Sequence, residues 1–225
     1  DNPRRIDSPA ALRNLYETHS QLSQQKFLPK LDAQSVALIA NSSFFCLATM
    51  HADGSLDVSP RGDPPGSVVV LDSTTLLLPA RRGNNRLDSL SNATERPHVA
   101  LLFLVPGVLE TLRVSGTAEI IQGDDRLEQA AIAGQTPTTG MLVHVTKTCI
   151  QCGKAVKRGA LWEDTYRIER DRLASFGTML ADQTQTGQTA AELDQSIETG
   201  QFGASMQVAL INAVSYTHLT QPTKA

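Results

Sequence analysis

Two short stretches concentrate the side chains of this sequence that could do chemistry. The first, Ser59-Pro60-Arg61-Gly62-Asp63-Pro64-Pro65-Gly66, sets a guanidinium among prolines and glycines. Proline fixes its own φ, so such a segment is stiff and can aim an arginine. The second, Arg81-Arg82-Gly83-Asn84-Asn85-Arg86, places guanidiniums, a glycine and two amides just before a stretch of helical spacing. A helix start offers unpaired N–H groups and the positive end of the backbone dipole, and arginine matches phosphate oxygens with a two-pronged fork. Together these groups suit a phosphate. Without that ligand, the first stretch reads as a rigid turn with Arg61 paired to Asp63, and the second as a solvated basic turn.

Other constellations carry less. Cys149 and Cys152 have the spacing of half a zinc site or of a redox dithiol. A four-ligand site needs a second pair, and only Cys46 with the scattered His19, His51, His98, His144 and His218 is available. No βαβ pattern surrounds the two cysteines, as a thioredoxin-like dithiol would require. Packed structural thiols are the expectation, and no metal site is assigned. The sequence has no Gly-x-Ser-x-Gly and no Gly-x-Gly-x-x-Gly after a strand, the signatures of a serine hydrolase and of a Rossmann dinucleotide domain. His98 and His144 fall in predicted strands, where hydrogen-bonded core or interface positions are expected.

An ordinary globular composition frames these groups. The 225 residues are 40% hydrophobic and 19% charged, enough for one large domain whose core needs no disulfide staple. Twenty Lys and Arg against 23 Asp and Glu leave a net charge of -3, so an anion must be held locally and a dedicated nucleic-acid binder is disfavoured. Three cysteines, an odd number, fit a reducing compartment, and the cytoplasm is the expected location. No apolar run approaches the roughly 20 residues that span a bilayer, and no signal peptide opens the sequence. Asp1 in place of an initiator Met reads as the interior of a longer frame. Residues 214–225 resemble a translated sequencing adapter.

Periodicity supplies the elements that must position the two basic stretches. Residues 8–24 have helical spacing behind a Ser-Pro start, and Asp32 caps a predicted helix through Ile39. Residues 44–50 and 56–59, joined by the Asp53-Gly54 turn, predict a hairpin. Further strands are expected at 67–71, 75–79, 99–105, 109–121 and 141–148, with helices at 84–94 and 125–133. Hairpins without regular βαβ alternation predict a mainly β fold, a closed or nearly closed antiparallel barrel with peripheral helices. Beyond Cys149 the chain turns polar, with helical extensions expected at 172–181 and 190–198.

Residues 57–90 carry a resemblance: Val58-Ser-Pro-Arg-Gly-Asp-Pro-Pro-Gly66, then Leu76-Leu-Leu-Pro79, then Gly83-Asn-Asn-Arg-Leu-Asp-Ser-Leu90. This pattern is similar to that of the pyridoxamine 5'-phosphate oxidase-like FMN-binding split-barrel proteins. Leu101-Leu-Phe-Leu-Val-Pro-Gly107, Glu110-Thr-Leu-Arg-Val-Ser-Gly116 and Cys149-x-x-Cys-x-Lys-Ala155 with Leu161-Trp162 continue it, over residues 28–162. The resemblance implies a six-stranded antiparallel split β-barrel that forms a homodimer, with two FMN molecules in clefts at the subunit interface.

By position, Arg61 matches the strand arginine and Arg86 the helix-start basic residue that hold the FMN phosphate in the family. Asn84 and Asn85 take the place of its small polar phosphate ligands, and Ser59 and Arg82 lie in the same two stretches. Thr111 stands where the oxidase proper has a glutamine near the flavin, which shortens that contact, and Arg113 matches a strand arginine. Lys154 is the candidate cation for the pyrimidine edge of the ring. No catalytic residue is assigned. The vitamin B6 oxidase ends in a basic and aromatic substrate-binding segment that has no counterpart after Trp162, so pyridoxamine phosphate is not the expected substrate.

The implied activity is that of an FMN-dependent oxidoreductase, moving two electrons between a reduced nicotinamide such as NAD(P)H, or a similar donor, and a small organic acceptor. The alternative is a non-catalytic carrier or sensor binding flavin, haem or a deazaflavin. Neither nucleic acid nor membrane is an expected partner. The expected organisation is an N-terminal helical extension (1–27), the FMN-binding barrel (28–162), a C-terminal helical extension (163–213) and the adapter-like tail (214–225).

Overall fold

The computed structural model describes residues 5–18, 20–21, 25–81, 86–184 and 187–198. Its centre is a seven-stranded antiparallel sheet, entered through a helix whose start is fixed by one carboxylate. Asp32 accepts from the Ser35 backbone N–H at 2.8 Å, which satisfies one of the donors orphaned at the start of α2 (Ala33–Asn41). Residue 8 does the same for α1 (Pro9–Arg13), a helix that stops far short of the expected residue 24 because none of its side chains is buried. A single turn with nothing to pack against has no reason to propagate.

Strands β1 (Phe44–Met50) and β2 (Leu56–Gly62) form the expected hairpin. Asp53 closes its turn by accepting from the Ser55 N–H at 2.8 Å and the Ser55 hydroxyl at 2.6 Å, and Gly54 takes the positive φ of 86° that the turn demands. The returning strand runs three residues beyond the predicted residue 59, so Pro60 and Arg61 lie within a strand. Proline is tolerated there because β2 is the edge of the sheet. Next come β3 (Val69–Asp72), β4 (Thr75–Pro79), α3 (Asp88–Glu95), β5 (His98–Leu104), β6 (Thr111–Gln122) and β7 (Thr139–Gln151). The strand order is β2-β1-β5-β6-β7-β4-β3. The seven strands are those the periodicity predicts, one more than the six the resemblance implies, and the two edges, β2 and β3, are not paired with each other.

One face of the sheet encloses the main core. Phe45 and Leu47, Val99, Leu101 and Phe103, Leu112 and Val114, and Met141 and Val143 alternate inward with the period of two that strands impose. Ile39 of α2 and Ala93 of α3 close the ends of this cluster. A smaller cluster of Leu77, Ile121, Leu127, Ala130 and Leu142 lies under Asp125–Ala130. That segment is a 3-10 turn where an α-helix was expected. The 12-residue β6 and 13-residue β7 pair along their whole length, broken by one bulge at Ser115/Gly116 that lets two such long strands curl.

After β7 the chain makes α4 (Lys154–Arg158), and Trp162 donates its indole N–H to the Val108 carbonyl at 2.8 Å. Helices α5 (Phe176–Thr184) and α6 (Ala190–Glu198) pack on each other, with Leu193 buried between them and Asp194 accepting from the Gly177 N–H at 2.7 Å. The observed α6 has the expected bounds. The observed α5 starts four residues later than predicted. Among the described residues no helix is long and apolar enough to cross a membrane. Residues 214–225 lie outside the described residues.

Candidate functional site

The edge strand β2 and the first turn of α3 build a small polar corner. Along β2 the residues alternate, with Asp57, Ser59 and Arg61 half-buried and Leu56, Val58 and Pro60 exposed. The half-buried row therefore faces α3, which packs on β1 and β6. Arg61 donates from Nη2 to the Ser89 hydroxyl at 2.9 Å, and the Ser59 and Ser89 hydroxyls lie 3.1 Å apart. Ser89 is the second residue of α3 and is buried. Asn92, one turn on, anchors the helix by donating to Thr49 Oγ1 at 3.0 Å inside the protein.

Two features of this corner lack a partner. Arg61 Nε is buried with no hydrogen-bond partner, which makes it the one such side-chain atom among the described residues. Helix α3 has no side-chain cap, because its N-cap residue is Leu87, held in the left-handed region at φ 58°. A buried donor left unpaired costs about 1–3 kcal/mol. A leucine in the left-handed region is also strained. Burial pushes the Arg61 guanidinium below its usual range, and the Asp57 carboxylate pushes it back up. Arginine remains charged at neutral pH under either influence. A half-buried cation with an unpaired N–H beside an uncapped helix start is an arrangement that favours negative charge.

The second basic stretch is anchored to the same corner. Arg86 donates to the Asp88 carboxylate at 2.8 Å, so Arg61 and Arg86 are held by adjacent residues of the first turn of α3. Asp88 would repel an anion there, and Arg86 offsets its charge. Arg82, Asn84 and Asn85 lie outside the described residues. Arg81 pairs with Asp63 at 2.8 Å and donates to the Ala130 carbonyl at 3.0 Å, which ties the end of β4 to the residue after β2. The alternative pairing of Arg61 with Asp63 is thus not formed: Asp63 belongs to Arg81 and Arg61 belongs to Ser89.

The remaining candidates sit elsewhere on the sheet. Thr111 is buried at the start of β6, and Arg113 is exposed two residues on. Arg113 shares a cross-strand row with Pro60, Cys46, Leu102 and Cys149 on the face opposite the main core. Lys154 is exposed at the start of α4. Among the described residues neither Arg113 nor Lys154 makes a hydrogen bond or ion pair. Lys147 on the same face lies 4.2 Å from the Phe27 ring centre, a cation–π contact.

Two other expectations need revision. Cys149 is buried as a packed thiol, but Cys152 is exposed, since it follows the last residue of β7 and no element covers it; all three cysteines are free. His98 and His144 are exposed, not in the core, because both fall on the outer face; His144 lies 3.4 Å from Glu119. No cluster of metal-ligating residues occurs among the described residues. Sequence reasoning missed Ser89 and the Asp63–Arg81 pair. Ser89 stands inside the motif that carried the resemblance, and a hydroxyl at the second position of an uncapped helix was the available signal.

A family model described as Pyridoxamine 5'-phosphate oxidase matches residues 31–147, from the start of α2 to β7 and including Ser59, Arg61, Arg86, Thr111 and Arg113. None of the curated proteins matches the chain. Among solved structures, HupZ of Group A Streptococcus is 20% identical, with 52% of this chain and 91% of that one covered at a TM-score of 0.43. A relative of general stress protein 26 from Clostridium acetobutylicum, described as of the pyridoxinephosphate oxidase family, is 15% identical, covering 53% and 86% at 0.42. The FAD binding protein from Mycobacterium smegmatis is 20% identical, covering 55% and 97% at 0.39.

Proposed function

The chain belongs to the pyridoxamine 5'-phosphate oxidase family, and from that premise we propose that it is an FMN-binding flavoprotein whose phosphate site is the corner between β2 and α3. The observation that carries this reading is the buried Arg61 Nε with no partner, set against an uncapped helix start. A phosphate there would take the orphaned N–H, the first-turn amides and the charge of Arg61 together. Arg61, Ser59 and Arg86 hold it, joined by Arg82, Asn84 and Asn85 from the adjoining loop. Thr111, Arg113 and Lys154 are assigned to the flavin ring, the two cations stabilising negative charge on its pyrimidine edge.

Bound FMN supplies two-electron hydride chemistry, and the protein fixes its position and electronics. The activity we assign is electron transfer from a reduced nicotinamide or similar donor to a small organic acceptor in the cytoplasm. The outer face of the sheet supports a homodimer. Phe44, Leu56 and Val58 are exposed there beside Pro60, Cys46 and Leu102, while Arg113, Ser115 and Lys147 make the neighbouring strands polar. We assign the apolar half to a second copy of the chain.

The test is direct. Purified protein is expected to be yellow and to release FMN, identified by mass, on denaturation. Arg61→Ala combined with Arg86→Ala is expected to give a folded, colourless protein. Full flavin occupancy in that double variant would refute the phosphate assignment. Bound FMN without oxidation of NADH or NADPH by any common acceptor would assign the protein to the carrier class.

A further inference from the structure

We propose that Ser89 is a positioning residue that sets the direction of both Arg61 and Ser59 toward the bound anion, a role resting on the phosphate reading above. The geometry is specific. A serine hydroxyl has one proton to give and two lone pairs to accept with. Ser89 Oγ accepts from Arg61 Nη2 at 2.9 Å, and the donor in that pair is fixed because a guanidinium cannot accept. The remaining contact, 3.1 Å to Ser59 Oγ, is open to either direction. If Ser89 donates to Ser59, the Ser59 proton is released to point away from the helix. If Ser59 donates to Ser89, that proton is consumed inside the corner.

An anion decides between the two. With phosphate oxygens beside Ser59, the favourable arrangement runs from Arg61 to Ser89, from Ser89 to Ser59, and from Ser59 to the oxygen. Each donor then meets an acceptor, and the charge-assisted bonds at the two ends polarise the one between them. The same clamp on Nη2 fixes the plane of the guanidinium. The orphaned Nε and the other edge of the fork are thereby left for the ligand. Ser89 never touches the anion in this scheme. Its burial and its place in the first turn of α3 make its own position rigid, which is what orienting two partners requires.

The scheme separates the phosphate from the ring. In a fluorescence titration of apoprotein, the wild type is expected to bind FMN far more tightly than riboflavin, which lacks the phosphate. Ser89→Ala is expected to weaken FMN about tenfold, the scale of a charge-assisted hydrogen bond, and to leave riboflavin unchanged. Combining it with Ser59→Ala should cost little more than Ser89→Ala alone. Where Ser89→Ala fails to fold, Ser89→Cys, of similar size with a weakly accepting sulfur, should show the same selective loss. Equal weakening of FMN and riboflavin, or unchanged FMN binding in a folded variant, would overturn the role of Ser89. A wild type that does not prefer FMN to riboflavin would instead overturn the phosphate site itself.

Discussion

At the scale of single residues, the buried polar atoms decide which substitutions hurt. Asn92 is 6% exposed, and its amide donates to Thr49, itself 2% exposed. Thr49→Val keeps the shape of the side chain but leaves that donor without an acceptor, at an expected cost of about 1–3 kcal/mol in urea denaturation. Changing both residues, as in Thr49→Val with Asn92→Leu, should recover much of the loss, because removing both partners leaves nothing unsatisfied. An additive loss would show that the bond is not what holds α3 to β1. Arg61 follows the opposite logic. Its Nε has nothing to lose in the free protein and Ser89 keeps Ser59 as a partner, so Arg61→Ala forfeits only the Nη2 bond to Ser89 and should cost the apoprotein no more than about 1 kcal/mol while abolishing tight FMN binding. A melting temperature that falls equally with and without FMN would argue that Arg61 is structural.

At the scale of elements, helix starts and the bulge carry the argument. Asp32→Ala removes the cap of α2 and should cost about 1 kcal/mol. The Ser35 hydrogen bonds hold the Asp32 carboxyl below its ordinary value of 3.8, so its charged form is favoured by folding. The contribution of a depressed carboxyl is complete above the unfolded value and fades as pH falls through the folded one. The gap between wild type and Asp32→Ala should therefore be full at pH 7 and shrink below about pH 4; a gap that widens in acid would contradict the cap. In the bulge, a Cβ on Gly116 would run into the His144 carbonyl, so Gly116→Ala should destabilise by about 1–3 kcal/mol. An unchanged melting temperature would mean that β7 can yield. Asp32 was readable from sequence because a cap is a local rule, and so was the Asp-Gly hairpin. The bulge and the length of β2 were not, because both depend on which strand lies alongside. Arg61 could be nominated from its type, but its partner Ser89 lies 28 residues away and only packing of α3 on the sheet brings it there.

At the scale of the whole molecule, the exposed apolar row of β2 is the feature to test. Leu56 is 77% and Val58 62% exposed, on the same face as Phe44. Val58→Asp would place a charge at the centre of the assigned dimer contact, and sedimentation of the variant should give the mass of one chain where the wild type gives two. A variant that stays at the wild-type mass would move the interface elsewhere, and a wild type that sediments as one chain would remove it. The other side of β2 has a different consequence. Its row of Asp57, Ser59 and Arg61 puts opposite charges and a hydroxyl where a stacked fibril would need a dry, matched surface. A second copy seated on the apolar row, as proposed above, would therefore leave the other side of β2 unsuited to extending the pair into a stack.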